Sequence, residues 1–178
     1  MRFSTLVALG VTALVAVSGC GHYRWTPSVP EGMRTVAVPV FRNESEVSGL
    51  GREVTRQVLR EFEREGTFRI AAVGESAVEV QGVVKSGSTK VVAYERKTGQ
   101  RNLEHRLSSV ALVSVIDKRS GKVLVNDRKY VATTTFVGGG DMLTGAADAS
   151  GRLAEDFARQ IVDDVLSMDF GGKTGGAR

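Results

Sequence analysis

The residue whose type and position most clearly commit it to a chemistry is Cys20. It follows Val17, Ser18 and Gly19, and ahead of these lies an almost unbroken apolar run from Leu6 to Val17 with one positive charge at Arg2. Charge, apolar run, small residues and cysteine in this order form an export signal. The order resembles a bacterial lipobox, in which the cysteine thiol is diacylated and the cysteine becomes the new N-terminus after cleavage. The run is too short to span a bilayer comfortably. The competing reading, ordinary cleavage with Cys20 left as a free thiol, fits the pattern less well. Gly21 stands where inner-membrane retention typically uses aspartate. The expected location is therefore the outer membrane, lipid-anchored on its periplasmic face.

Other candidate chemistry is sparse. Cys20 is the single cysteine, which rules out a disulfide within the chain and any metal site built on several thiolates. His22 lies beside the anchor and His105 falls in a strand pattern, and neither has a neighbouring partner that would make a triad or a metal site. Asp163 and Asp164 are adjacent on a helical pattern, so their side chains diverge by about 100 degrees and read as helix surface. Gly138-Gly139-Gly140 lacks the spacing and the lysine of a phosphate-binding loop. Gly172-Lys173-Thr174 mimics the end of one, but Ser167 occupies the position that needs glycine. No enzyme, no cofactor and no metal are expected.

Composition agrees with a small exported domain. Loss of residues 1–19 leaves 159 residues, enough for one sizeable core. The formal net charge is +4, a mild excess that does not imply nucleic acid. Residues 20–33, with Pro27 and Pro30, read as a lipidated N-terminus and tether. Residues 34–170 read as a single domain, and the Gly-rich residues 171–178 as a disordered tail.

Within that domain, Arg34 to Phe41 alternates Val36, Val38 and Val40 with Thr35, Ala37 and Pro39 and predicts a strand, with Pro39 at an edge or bulge. Ser48 is the expected N-cap of a helix whose Leu50, Val54, Val58 and Phe62 recur every fourth residue. Gly66 caps it, and Thr67 to Val73 is a second strand, so strand, helix and strand form a right-handed parallel crossover. From Ala77 to Val137 the period is that of antiparallel strands. The first runs irregularly past Gly87 toward Tyr94, Glu95 to Arg101 forms a basic tip, and Leu103–Ile116 and Lys122–Val137 form a hairpin turning at Gly121. Ser150 opens a last helix with Leu153, Phe157, Ile161 and Val165 on one stripe. The fold class that follows is α+β, a two-layer sandwich with two helices on one face of a mixed, largely antiparallel β-sheet.

The order of these features resembles the lipopolysaccharide-assembly lipoproteins, the LptE-like family. The residues that carry it are Ser18 to Tyr23, Thr35 to Asn43, Gly49 to Phe68, the strand pair around Ser120 to Leu124 and the Ala-rich last helix. The resemblance implies a plug and assembly partner, not a catalyst, beside an LptD-type outer-membrane β-barrel. It leaves direct contact with lipopolysaccharide open. A periplasmic lipoprotein that activates a peptidoglycan synthase or belongs to a secretion-pore family is the alternative, and the long antiparallel stretch 77–137 argues against it. Lys85, Lys90, Arg96, Lys97 and Arg101 gather around residues 85–101, where Glu95 is the one acid. They are the candidate contacts for lipopolysaccharide phosphates or an acidic barrel lumen. The opposing reading is an edge-protecting loop.

Overall fold

The computed structural model describes residues 29–97, 100–138 and 142–170. Six strands form one sheet: β1 (Thr35–Ala37), β2 (Arg42–Asn43), β3 (Arg69–Ile70), β4 (Val78–Lys97), β5 (Gln100–Asp117) and β6 (Lys122–Gly138). The order is β3-β1-β4-β5-β6, and β2 pairs with β4 farther along the edge that β1 leaves. β1 runs parallel to β3 and β4, whereas β4, β5 and β6 are antiparallel neighbours. Helices α1 (Leu50–Glu65) and α2 (Met142–Leu166) cover one sheet face, so the α+β two-layer arrangement expected from the pattern is the one observed.

The core follows from the two apolar stripes. Leu50, Val54, Val58 and Phe62 of α1 and Leu153, Phe157, Ile161 and Val165 of α2 are all buried against Val78, Val80 and Val84 of β4 and Ala111, Val113 and Val115 of β5. Each of these side chains larger than alanine contributes on the order of 1.5–3 kcal/mol through the apolar area it removes from water. Phe68 closes the end of the core, meeting Phe62 and Phe170 edge-on with centroids 5.6 and 5.8 Å away.

Several expectations change in detail. The stretch from Arg34 to Phe41 is not one strand, because the chain leaves the ladder after Ala37. Pro39 cannot donate to a ladder, and beyond it Val40 turns outward while Phe41 drops into the core. Phe41 is held there by two glycines. A Cβ on Gly82 would stand 2.2 Å from its ring, and one on Gly51 would stand 2.4 Å from its carbonyl oxygen. Its backbone N–H donates to Thr55 Oγ1 at 2.9 Å, and that hydroxyl donates to the Gly51 carbonyl at 2.8 Å.

The helix cap is Gly49, in the left-handed region at φ 75°, and not Ser48. The second strand shrinks to Arg69–Ile70, since past Ala71 no neighbour remains to pair with. α2 begins at Met142, eight residues before Ser150, whose hydroxyl instead bonds the Ala147 carbonyl at 2.7 Å. The added turns pack because Gly145, without a side chain, passes close to the Phe136 ring. The basic tip is not a loop from 95 to 101: β4 continues to Lys97 and β5 resumes at Gln100. Gly121 takes φ 70°, as its turn requires.

Candidate partner-binding surface

Among the described residues, no helix covers the sheet face opposite α1 and α2. Alternation assigns side chains to it. In β5, His105, Leu107, Ser109, Ala111 and Val113 face the helices and are buried, so Arg106, Ser108, Val110, Leu112 and Ser114 face the open side. Register then supplies their neighbours: Leu112 lies between Val83 and Lys129, Ser108 between Ser88 and Thr133, and Arg106 between Lys90 and Thr135. The surface is therefore hydroxyl-rich and basic with scattered valines, of which Val131 and Val137 are exposed. The Ser108 and Thr133 hydroxyls bond each other at 3.1 Å.

Two irregularities shape this face. β6 carries a bulge opposite Ser114, where Asp127 adopts φ 46° and its N–H donates to Ser114 Oγ at 2.9 Å. A shallow hollow of about 310 Å³ lies beside it, lined among others by Pro39, Val40, Leu112 and Asp127. β4 slips register between Val84 and Ser86 and again between Val91 and Ala93. Carried straight back from the pairing of Lys97 with Gln100, Lys90 would oppose the buried Leu107; the second slip sets it opposite Arg106 instead. A one-residue shift exchanges the two faces of a strand.

Near the start of β4 the same face holds a buried carboxylate. Glu79 accepts from Gln81 Nε2 at 2.5 Å and lies 3.0 Å from Lys118 Nζ, and Gln81 followed by Lys118 holds its carboxyl below the ordinary value despite burial. Farther along, Lys85 donates to Glu44 at 2.7 Å and lowers that carboxyl as well. This second pair is exposed on both sides and contributes little to stability.

The sequence-derived candidates separate accordingly. Cys20 lies outside the described residues. Lys85 and Lys90 are both exposed, but Lys85 is engaged with Glu44, whereas Lys90, among the described residues, has no acidic partner. Arg96 and Arg101 are paired in register across β4 and β5, and Lys97 is paired with Gln100; their side chains lie outside what is described. Arg106 was not anticipated. The alternation of Leu103, His105, Leu107 and Ser109 already sends it outward, but its placement beside Lys90 depends on the second register slip of β4.

His105 packs beneath α2 against Phe136, the rings stacked with centroids 5.2 Å apart. Asp164 is not a free helix-surface carboxylate. It pairs with Arg128 and accepts from the Tyr130 hydroxyl at 2.5 Å, while burial and this carboxylate push the phenol above its usual range. These contacts tie the end of α2 to β6. Arg152 and Gln160 of α2 likewise donate to the Thr135 and Val131 carbonyls of β6, at 2.9 and 3.2 Å. Between the helices runs a polar groove of about 680 Å³ with Arg56, Arg60, Asp148 and Glu155 in its walls. Among the described residues no group of three or more His, Cys, Asp or Glu side chains could hold a metal, and no helix is long and apolar enough to cross a membrane.

Comparison with known proteins adds a family match. The model of a family described as LptE, lipopolysaccharide-assembly, matches residues 33–166. Nothing among the curated proteins matches. Of solved structures, one from Helicobacter pylori, described as a homolog of a neuraminyllactose-binding hemagglutinin, is 8% identical, covers 78% of this chain and 88% of its own, and overlays with a TM-score of 0.50. A minor lipoprotein from Acinetobacter baumannii is 9% identical over 76% of this chain and 94% of its own, with a TM-score of 0.43. A lipoprotein from Neisseria meningitidis is 10% identical over 72% and 98%, with a TM-score of 0.34. The first score marks a shared fold, and the other two are too low to carry an argument.

Proposed function

The chain belongs to the lipopolysaccharide-assembly family, LptE, and from that premise we propose that it is anchored by an acylated Cys20 to the periplasmic face of the outer membrane and plugs an LptD-type β-barrel. On this reading residues 1–19 are a signal peptide, residues 20–33 a tether whose Val29 and Met33 are already buried in the core, and residues 34–170 the working domain. Its role is assembly and occlusion, with no catalytic step of its own.

The observation that supports the plug is the bare sheet face. A largely antiparallel sheet can leave one face to water in any two-layer domain, so what bears on the reading is the polar composition of that face. A plug must present polar surface to the polar interior of a barrel on every side. Here the uncovered side offers Ser88, Ser108, Thr133 and Thr135 with Lys90, Arg106 and Lys129, a composition suited to a wet lumen and poorly suited to hydrocarbon.

The test is gentle detergent extraction of the tagged full chain followed by identification of what co-purifies. A barrel of this type in stoichiometric amount is the expected result; recovery of a peptidoglycan synthase without the barrel would overturn the reading. Replacing Cys20 with Ala should release the chain from the outer-membrane fraction and remove the lipid-modified mass. Retention of both properties would remove the anchor from the proposal.

A further inference from the structure

β4 changes character along its length. Up to Val84 its outer edge is paired, first by β1 and then by β2, and the last bond on that edge is from the Glu44 N–H to the Val84 carbonyl at 2.8 Å. Beyond it, no described residue pairs with that edge. Residues 88–91 are exposed one after another, so neither face of the strand is covered there. Between the two slips, residues 86–91 keep unbroken register with β5, a straight segment of ordinary strand length. The other long border of the sheet differs, because Arg152 and Gln160 of α2 already occupy carbonyls of β6.

The open face beside this edge sets two cations opposite each other, with Glu104 two positions along β5 on the same face by alternation. Lys90 and Arg106 stand directly opposite each other, both exposed, and among the described residues neither has an acidic partner. Like charges placed directly across a ladder destabilise it. The arrangement makes sense when an anion joins the same row. An added strand next to β4 would put its side chain within about 5 Å of Lys90, and a carboxylate there would complete a row with Lys90, Arg106 and Thr135.

We propose that an extended, acidic segment of the partner barrel adds to the edge of β4 along residues 86–91, with an Asp or Glu set beside Lys90. The inference rests on the barrel reading above and names the surface through which it operates. Backbone pairing supplies the attachment and the Lys90–Arg106 pair supplies the selection. A second copy of this chain is disfavoured as the occupant, because antiparallel pairing of two such edges would bring cationic segments against each other. Lysine on an open edge therefore does two things here: it repels like edges and favours an acidic one.

The experiment uses the tagged full chain in cells, with a photo-crosslinking amino acid in place of Thr89 and, as a control, in place of Arg60 on α1. Thr89 should crosslink to the barrel, at a segment containing Asp or Glu. Lys90→Glu with Arg106→Glu should lower the co-purified barrel at least tenfold, while Lys122→Glu at the far end leaves it unchanged. Lys90→Gln with Arg106→Gln should give a smaller loss with weaker salt dependence, and no variant should melt below the parent.

The proposal fails if the parent retains the barrel but Thr89 crosslinks only to lipid, to a second copy or to residues 21–28 of its own chain. It fails also if the charge-reversed variant retains the barrel in full. Absence of the barrel from the parent preparation overturns this inference and the plug reading together.

Discussion

The first and second halves of β4 are consecutive pieces of one strand in opposite surroundings. Residues Val78 to Val84 are flanked on both edges, lie under α1 and α2, and hold Val78, Val80 and Val84 at zero exposure. Residues 88–91 are bordered by β5 alone and exposed throughout. Both halves pair with β5, on either side of the register slip between Val84 and Ser86, so hydrogen bonding to that neighbour does not distinguish them. What differs is side-chain burial, and with it the cost of any change. The first half anchors the fold, and the second is free to be specified by a partner.

That contrast can be broken or sharpened by measurement, beginning with the largest effect. Phe157→Ala, in the core over β5 and β6, should cost roughly 3–5 kcal/mol through lost transfer energy and a residual cavity. A urea titration that shows less than about 1 kcal/mol would mean the helix layer is not the anchor. Gly82→Ala in the buried half should cost about 1–3 kcal/mol by overpacking, since its new Cβ would fall 2.2 Å from the Phe41 ring. Tolerance of it would show that the Phe41 wedge can shift.

A smaller effect is expected from acid at Glu79. Gln81 and then Lys118 hold the folded carboxyl below its ordinary value of 4.5, so the folded state binds that proton less readily than the unfolded chain. The stabilisation is present above about pH 4.5 and is lost as the pH falls through the lower folded value. Glu79→Gln should therefore differ from the parent more at pH 7 than in strong acid, and an equal difference at both would remove the ion pair from the account. Least of all should follow from Lys90→Thr in the exposed half, where stability should change by no more than about 0.5 kcal/mol in either direction. A large loss there would show that the half described as open is covered.

Much of the architecture was written in local periodicity. The stripes led by Leu50 and Leu153, the capping Gly66 and the Gly121 turn depend on neighbours three or four residues away, and such patterns survive without knowledge of the fold. The sheet-spanning alternation of β5 was equally readable, and it already turned Arg106 outward. By contrast, Thr35 to Phe41 reads as one alternating strand. Only the packing of Phe41 between Gly51 and Gly82 shows why the chain must leave the ladder.

By itself, then, the chain's sequence determined the export-type start ending at Cys20, the two helices with their buried faces, the antiparallel hairpin and the family likeness, because each is carried by residue type at fixed short spacing. Tertiary structure alone decided which β4 residue meets which β5 residue, how far α2 extends past Gly145, and that Lys90 and Arg106 share a row on the open face. The first and last of those outcomes turn on two register slips in β4. A slip of one residue leaves composition and local pattern almost untouched while exchanging the two faces of a strand. It is selected by the summed packing of distant segments, which no short window of sequence contains.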